Sequence, residues 1–148
     1  LKKEVRGIIH GDVGTPNMMF RHGPPPKLAA MIDWELSTIG DPMLDIGWFT
    51  GSMRDETQPD RISATALNDP RLFPTRQELA RYYCAGTGRD MADFDYFSIL
   101  AKFKSGCMME YKVAQAEAGL MPEETGRFFA RIVSQCFEDA AEQIRRIS

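Results

Sequence analysis

Oxygen-bearing side chains stand in two short stretches of this chain. The first is Ile9-His10-Gly11-Asp12-Val13-Gly14-Thr15-Pro16-Asn17, and the second is Met31-Ile32-Asp33-Trp34-Glu35. Carboxylate and amide oxygens are hard ligands that suit Mg²⁺. A carboxylate that is not engaged by a metal can orient a hydroxyl and accept its proton. Taken singly, Asp12 reads as a turn residue, Asn17 as an Asx-turn and Asp33 as a helix cap. Only their combination, in this order, points to chemistry.

The elements around them must bring the three together. Val5–Ile9 reads as a short strand, with Asp12 in the turn that follows. Asn17–Phe20 and Leu28–Ile32 read as two more strands. Three prolines and a glycine in Arg21-His22-Gly23-Pro24-Pro25-Pro26-Lys27 make their connection hairpin-like. Asp12, Asn17 and Asp33 then lie at strand ends around one loop. An Asp, four intervening residues, an Asn, and a further Asp after a β-hairpin is the layout used for phosphoryl transfer to a hydroxyl. Strands this short have no core of their own and are expected to need helices to cover them.

These residues resemble the aminoglycoside phosphotransferase, or choline-kinase-like, branch of the kinase fold. That family carries His-Gly-Asp-x-x-x-x-Asn, matched here by His10, Gly11, Asp12 and Asn17. Its Ile-Asp-Trp is matched by Ile32, Asp33 and Trp34, and its Gly-Asp-Pro-x-x-Asp by Gly40, Asp41, Pro42 and Asp45. The longer string from Asp33 to Pro42 resembles especially the branch fused to acyl-CoA dehydrogenases, which is associated with phosphorylation of hydroxyacyl-CoA. The resemblance implies ATP as phosphate donor and Mg²⁺ as cofactor. It implies Asp12 as catalytic base and Asn17 and Asp33 as the Mg²⁺–ATP ligands. Asp45 is implied as a carboxylate bracing the catalytic loop through backbone hydrogen bonds, and His10 as a structural support. The implied fold is α+β and mainly α: a kinase-like C-terminal lobe with short strands at the catalytic loop and a helical bundle behind it.

The remainder of the chain fits such a bundle. Asp41-Pro42 opens a helix that carries Leu44, Ile46, Trp48 and Phe49 and stops near Gly51. Residues 52–74 read as a long loop, and its acidic residues Asp55, Glu56 and Asp60 as solvated. Thr75-Arg76-Gln77-Glu78 is a capping box, and the helix it opens ends at Gly86-Thr87-Gly88. Asp93 is expected to cap the next helix, about 39 Å long if continuous to Gly119 at 1.5 Å per residue. Pro122 opens the last, where Phe128, Phe129, Ile132, Val133, Cys136, Phe137, Ala140, Ala141 and Ile144 form a core-facing stripe. Trp34 and Trp48 are expected to pack, and His22 to be exposed.

Composition narrows the setting. The chain has 148 residues and a formal net charge of −3, without the basic runs that nucleic-acid binding uses. No apolar stretch approaches the ~20 residues of a membrane helix. Cys84, Cys107 and Cys136 are odd in number and widely spaced, so they read as buried reduced thiols and point to the cytoplasm.

Nine residues precede His10. They leave no place for a glycine-rich loop, a strand lysine and its helix glutamate. Residues 1–148 are therefore read as the C-terminal lobe alone, with the N-terminal ATP-binding lobe as a required partner. By itself the chain is expected to be inactive and to self-associate or seek a partner such as an acyl-CoA dehydrogenase domain. The acceptor is expected to be a hydroxylated small molecule, hydroxyacyl-CoA or aminoglycoside-like. The alternative is a non-catalytic kinase-like module that binds metal, acyl-CoA or a partner domain.

Overall fold

The computed structural model describes residues 5–51, 53 and 74–147. The loop expected over 52–74 and its acidic residues lie almost wholly outside them. The fold is α+β and mainly helical. Strands β1 (Gly7–Ile9), β2 (Met18–Arg21), β3 (Lys27–Met31) and β4 (Thr38–Gly40) precede helices α1 (Met43–Gly51), α2 (Arg76–Thr87), α3 (Met91–Glu117) and α4 (Glu123–Ile147).

The strands form two antiparallel pairs. In β2–β3, Met18 faces Met31, and a bulge follows at Met19/Phe20. Asn17 lies just ahead of this hairpin in a 3₁₀ turn, Thr15–Asn17, and Ile32 lies just past it. The other pair joins β1 to β4, with Ile8 opposite Ile39. Strand β4 is absent from the sequence reading. It is three residues long and exists because a 3₁₀ turn at Trp34–Leu36 folds the chain back onto β1. Covering helices do not reach the outer hairpin: Met19, Phe20 and Leu28 are each about half exposed. Ile8 and Ile39, a cross-strand pair, are 70% and 78% exposed.

The core lies where α1, α2 and α3 meet. Met43, Ala80, Cys84, Phe94 and Phe97 are buried there, with Leu44, Ile46, Tyr83, Met91 and Leu100 packed around them. A Cβ at Gly47 would stand 2.5 Å from the Phe97 carbonyl oxygen, so glycine is what lets α1 lie directly on α3. Helices α3 and α4 form a long antiparallel hairpin in which Ile132, Val133 and Ala140 are buried. The α4 stripe is covered only in its middle; Phe128 and Ile144 near its ends are about half exposed.

Local signals set the helix ends. The Thr75 hydroxyl accepts from the Glu78 N–H, and the Glu78 carboxylate accepts from the Thr75 N–H. That exchange holds the Glu78 carboxyl below its ordinary value. Asp41 accepts from the Met43 N–H at 3.0 Å and opens α1. Asp90, not Asp93, caps α3, by accepting from the Ala92 N–H at 2.9 Å. Asp93 is drawn into the first turn by Arg89, which also clasps Asp41 through two bonds of 2.7 and 2.8 Å. This ion pair ties the α2–α3 corner to the start of α1. Helix α3 runs unbroken through Gly106.

Cys84 is buried and Cys136 partly so, but Cys107 is exposed. One residue along a helix is a rotation of about 100°, and that step from buried Gly106 carries Cys107 onto the solvent face. Among the described residues no helix is long and apolar enough to cross a membrane.

Candidate active site

Strand β1 delivers the chain into a loop held from several sides. His10, at its end, is buried. Its Nε2 lies 2.8 Å from the Ile32 carbonyl oxygen, and its Nδ1 accepts the Asp12 N–H at 3.3 Å. Those two partners assign the neutral Nε2–H tautomer. Both ring nitrogens are thus engaged by backbone, and the ring lies against Trp34 with centroids 4.5 Å apart.

The backbone N–H groups of His10 and Gly11 both donate to the Asp45 carboxylate on α1, at 2.7 and 2.9 Å. Gly11 has φ +88°, a conformation that L side chains rarely adopt, and a Cβ there would stand 2.3 Å from the Leu36 carbonyl oxygen. Its own carbonyl oxygen accepts from the Lys104 ammonium on α3. Both polar groups of this peptide segment are therefore bonded to side chains of different helices.

Asp12 follows, with both carboxylate oxygens occupied once. Oδ1 accepts the Trp48 Nε1–H at 3.1 Å and Oδ2 accepts the Asn17 Nδ2–H at 3.3 Å. Asn17 Nδ2 also donates to the Asp12 carbonyl at 2.9 Å. Asn17 thus directs its amide nitrogen to Asp12 and keeps its amide oxygen for another partner.

Asp33 sits beside this loop by backbone pairing. Its neighbour Ile32 donates N–H to the Asn17 carbonyl at 3.0 Å, and the Ile32 carbonyl is the one that meets His10. Asp33 itself has φ 66° and ψ 58°, and although it precedes a 3₁₀ turn its carboxylate caps nothing there. A non-glycine residue in the left-handed region costs roughly 1–2 kcal/mol. Asp and Asn tolerate it when the side chain bonds locally, and here the carboxylate stands exposed. That strain, held by the surrounding pairing, is the kind found where a side chain must be aimed.

The sequence pattern of the phosphotransferase enzyme family, APH, matches residues 1–92, which carry His10, Asp12, Asn17, Asp33, Asp45 and Trp48. The chain belongs to this family. A human protein named acyl-CoA dehydrogenase family member 11 is 27% identical over 141 residues, covering 94% of this chain and 18% of the relative. The Gallus gallus protein of the same name is 28% identical over 151 residues, or 95% of this chain and 19% of the relative. An Arabidopsis thaliana protein, probable acyl-CoA dehydrogenase IBR3, is 26% identical over 133 residues, or 81% of this chain and 16% of the relative. The chain thus spans less than a fifth of the curated relatives it matches. In three dimensions it is similar to a Ralstonia eutropha crystal structure classed with the aminoglycoside phosphotransferases. The TM-score is 0.67 at 22% identity, over 93% of this chain and 43% of the other, which establishes the shared fold.

In this member of the family a cavity of about 260 Å³ opens beside Asp12 and Asn17. Its walls include Val13, Trp48, Met109 and Ile132. Also in the wall is an ion pair between Lys102 on α3 and Asp139 on α4, 3.1 Å long, with both side chains at most 10% exposed. Burial pushes the Lys102 ammonium below its ordinary value, aided by Arg76 and opposed by Asp139. Among the described residues no three His, Cys, Asp or Glu side chains gather to hold a metal. The two residues expected from the sequence to bind a metal carry one amide oxygen, on Asn17, and one carboxylate, on Asp33. Such a sparse hard set suits Mg²⁺, which keeps waters and takes phosphate oxygens for its remaining positions.

Sequence reasoning missed Trp48, Lys104 and the Lys102–Asp139 pair. Trp48 reads as packing, yet its indole N–H reaches the Asp12 carboxylate. Asp139 did leave a signal: it falls among Ile132, Cys136 and Ala140, charged in the midst of an apolar stripe.

Proposed function

We propose that the chain is the acceptor-activating lobe of an ATP-dependent small-molecule kinase. The observation that carries this reading is the Asp12 carboxylate, oriented by Trp48 and Asn17 at the mouth of a largely apolar cavity. Each Asp12 oxygen retains a lone pair for a further donor. A substrate hydroxyl in the cavity donates to it. As the hydroxyl oxygen forms its bond to the γ-phosphorus, the bond from that phosphorus to the β-bridging oxygen breaks. The proton passes to Asp12, and ADP leaves. Asn17 and Asp33 would hold Mg²⁺, which when bound neutralises charge on the phosphate oxygens.

Apolar walls favour an alcohol with an apolar body over a polycation. Hydroxyacyl-CoA thus fits this cavity better than an aminoglycoside. The acyl-CoA dehydrogenase names of the relatives accord with that class, and with an acyl-CoA dehydrogenase domain as companion. The exposed apolar pair Ile8 and Ile39, with Met19, Phe20 and Leu28, gives the ATP-binding lobe a surface to cover. The unpaired cysteines suit a reducing cytoplasm.

The test incubates the intact protein, and residues 1–148 alone, with Mg²⁺–ATP and an acceptor panel. The panel comprises hydroxyacyl-CoA thioesters, simple aliphatic alcohols and aminoglycosides. Phosphorylated product is read by mass spectrometry. The intact protein should phosphorylate a hydroxyacyl thioester and the isolated lobe should not. Asp12→Asn should lower turnover by about 10²–10⁴-fold, the usual contribution of a general base. Mg²⁺–ATP binding without turnover on any acceptor would favour a non-catalytic module. Turnover indifferent to Asp12→Asn would overturn the assignment of the base.

A further inference from the structure

Lys104 lies 93 residues beyond Gly11, on a helix that carries no motif of the phosphoryl-transfer layout. Its ammonium nevertheless reaches the catalytic loop. It donates to the Gly11 carbonyl and stands 4.5 Å from the centroid of the Trp48 ring. We propose that Lys104 is a positioning residue for phosphoryl transfer: it clamps the Gly11 peptide and underlies the Trp48 indole, so that the indole N–H holds the Asp12 carboxylate in its reactive orientation. The proposal rests on the kinase reading above and adds to it a residue outside the matched family pattern.

Three observations support it. First, the ammonium is half-buried without an ion pair among the described residues, whereas the neighbouring Lys102 has Asp139. A lysine retained for packing alone would find a carboxylate or extend to water. Burial lowers the Lys104 ammonium from its ordinary value, and the charges of Asp45 and then Asp12 oppose this. Second, Gly11 receives its two bonds from opposite helices, Asp45 of α1 on its N–H and Lys104 of α3 on its carbonyl. Asp12 is the next residue, so these bonds set where its Cα stands. Third, a cation on the face of an indole is attracted to it and draws density from the ring. The N–H of that ring becomes a stronger donor, and its acceptor is Asp12 Oδ1 at 3.1 Å.

The test uses the intact protein with Lys104→Met, Lys104→Arg, Trp48→Phe and the Lys104→Met/Trp48→Phe double variant. A displacement of reacting groups by about 1 Å can lower turnover 10²-fold. Lys104→Met should accordingly lower kcat by about 10–100-fold while the KM for Mg²⁺–ATP stays within about twofold. Lys104→Arg should recover most of the loss. The double variant should be no slower than the worse single variant, because both act through one carboxylate. In 5-fluorotryptophan-labelled protein, the ¹⁹F resonance lost in Trp48→Phe should move in Lys104→Met and return in Lys104→Arg. Where Lys104→Met does not fold, Lys104→Gln removes the charge, keeps a donor and carries the same expectations. Absence of wild-type turnover refutes the kinase reading. Wild-type turnover with an unchanged kcat in Lys104→Met, an unmoved Trp48 resonance, or multiplicative losses in the double variant refutes this proposal alone.

Discussion

Replacing Asp45 by Asn changes one oxygen into an amide nitrogen and removes the charge, with almost no change of shape. In the native loop Oδ2 accepts the His10 N–H at 2.7 Å and Oδ1 accepts the Gly11 N–H at 2.9 Å. Asparagine can accept only one of them; its NH₂ must face the other N–H. A hydrogen bond to a charged group contributes about 1.5–3 kcal/mol net, and a donor left unsatisfied in a buried place loses about 1–3 kcal/mol. The loop is only partly buried, and water can reach some of the orphaned donor, so a loss of about 2–4 kcal/mol is expected for Asp45→Asn. Asp45→Ala, which orphans both donors, should lose more. Against a total stability of about 5–15 kcal/mol, this is a large fraction.

Each kcal/mol lowers Tm by about 2–4 °C in a domain of this size, so Asp45→Asn should melt roughly 4–16 °C below the wild type. Differential scanning calorimetry or a circular-dichroism melt measures it. Turnover should fall as well, since Gly11 precedes Asp12 and its φ of +88° needs outside support. A Tm within 2 °C of wild type, by the same constants about 1 kcal/mol or less, would refute the claim that the Asp45 carboxylate braces this loop.

Arg89→Met should destabilise by about 3–5 kcal/mol in urea unfolding, because it removes the cation that the Asp41 and Asp93 carboxylates share in a poorly hydrated corner. Arg89 and Asp41 side chains are only 7% and 11% exposed; Arg89→Lys should recover little, since an ammonium cannot make the two parallel bonds. At neutral pH a thiol-specific reagent should modify exposed Cys107 first and reach buried Cys84 only on unfolding. Burial raises the Cys84 thiol above its ordinary value of 9.0. The stability due to the neutral thiol is complete below that ordinary value and is lost as pH rises through the folded one. Wild type should therefore lose stability more steeply than Cys84→Ala as pH is raised above 9 in urea titrations, and parallel curves would contradict this.

What the sequence discloses and what it hides divide by distance along the chain. His10 to Asn17 lie within a single turn region, so residue type and spacing alone bring Asp12 and Asn17 together. Thr75 and Glu78 are likewise three residues apart, and their capping box was legible for the same reason. The cap of α3 shows the limit of local reading. Asp90 and Asp93 are both suitable caps by residue type, but Asp93 meets Arg89, whose main partner Asp41 is 48 residues away.

The residues that hold Asp12 in place were hidden for the same reason. The Trp48 indole comes from 36 residues away and Lys104 meets Gly11 across 93. Nothing in the local patterning of α1 or α3 distinguishes Trp48 from a packed aromatic or Lys104 from a solvated charge. Their contacts depend on Gly47, which brings the α1 backbone to α3 closely enough for one helix to share a loop with the other. A residue with no chemistry of its own thus decides whether the Gly11–Asp12 loop is gripped from two sides. A Cβ at position 47 would meet the backbone of Phe97 and force α1 away from α3, separating Trp48 from Lys104 and carrying Asp45 with the helix.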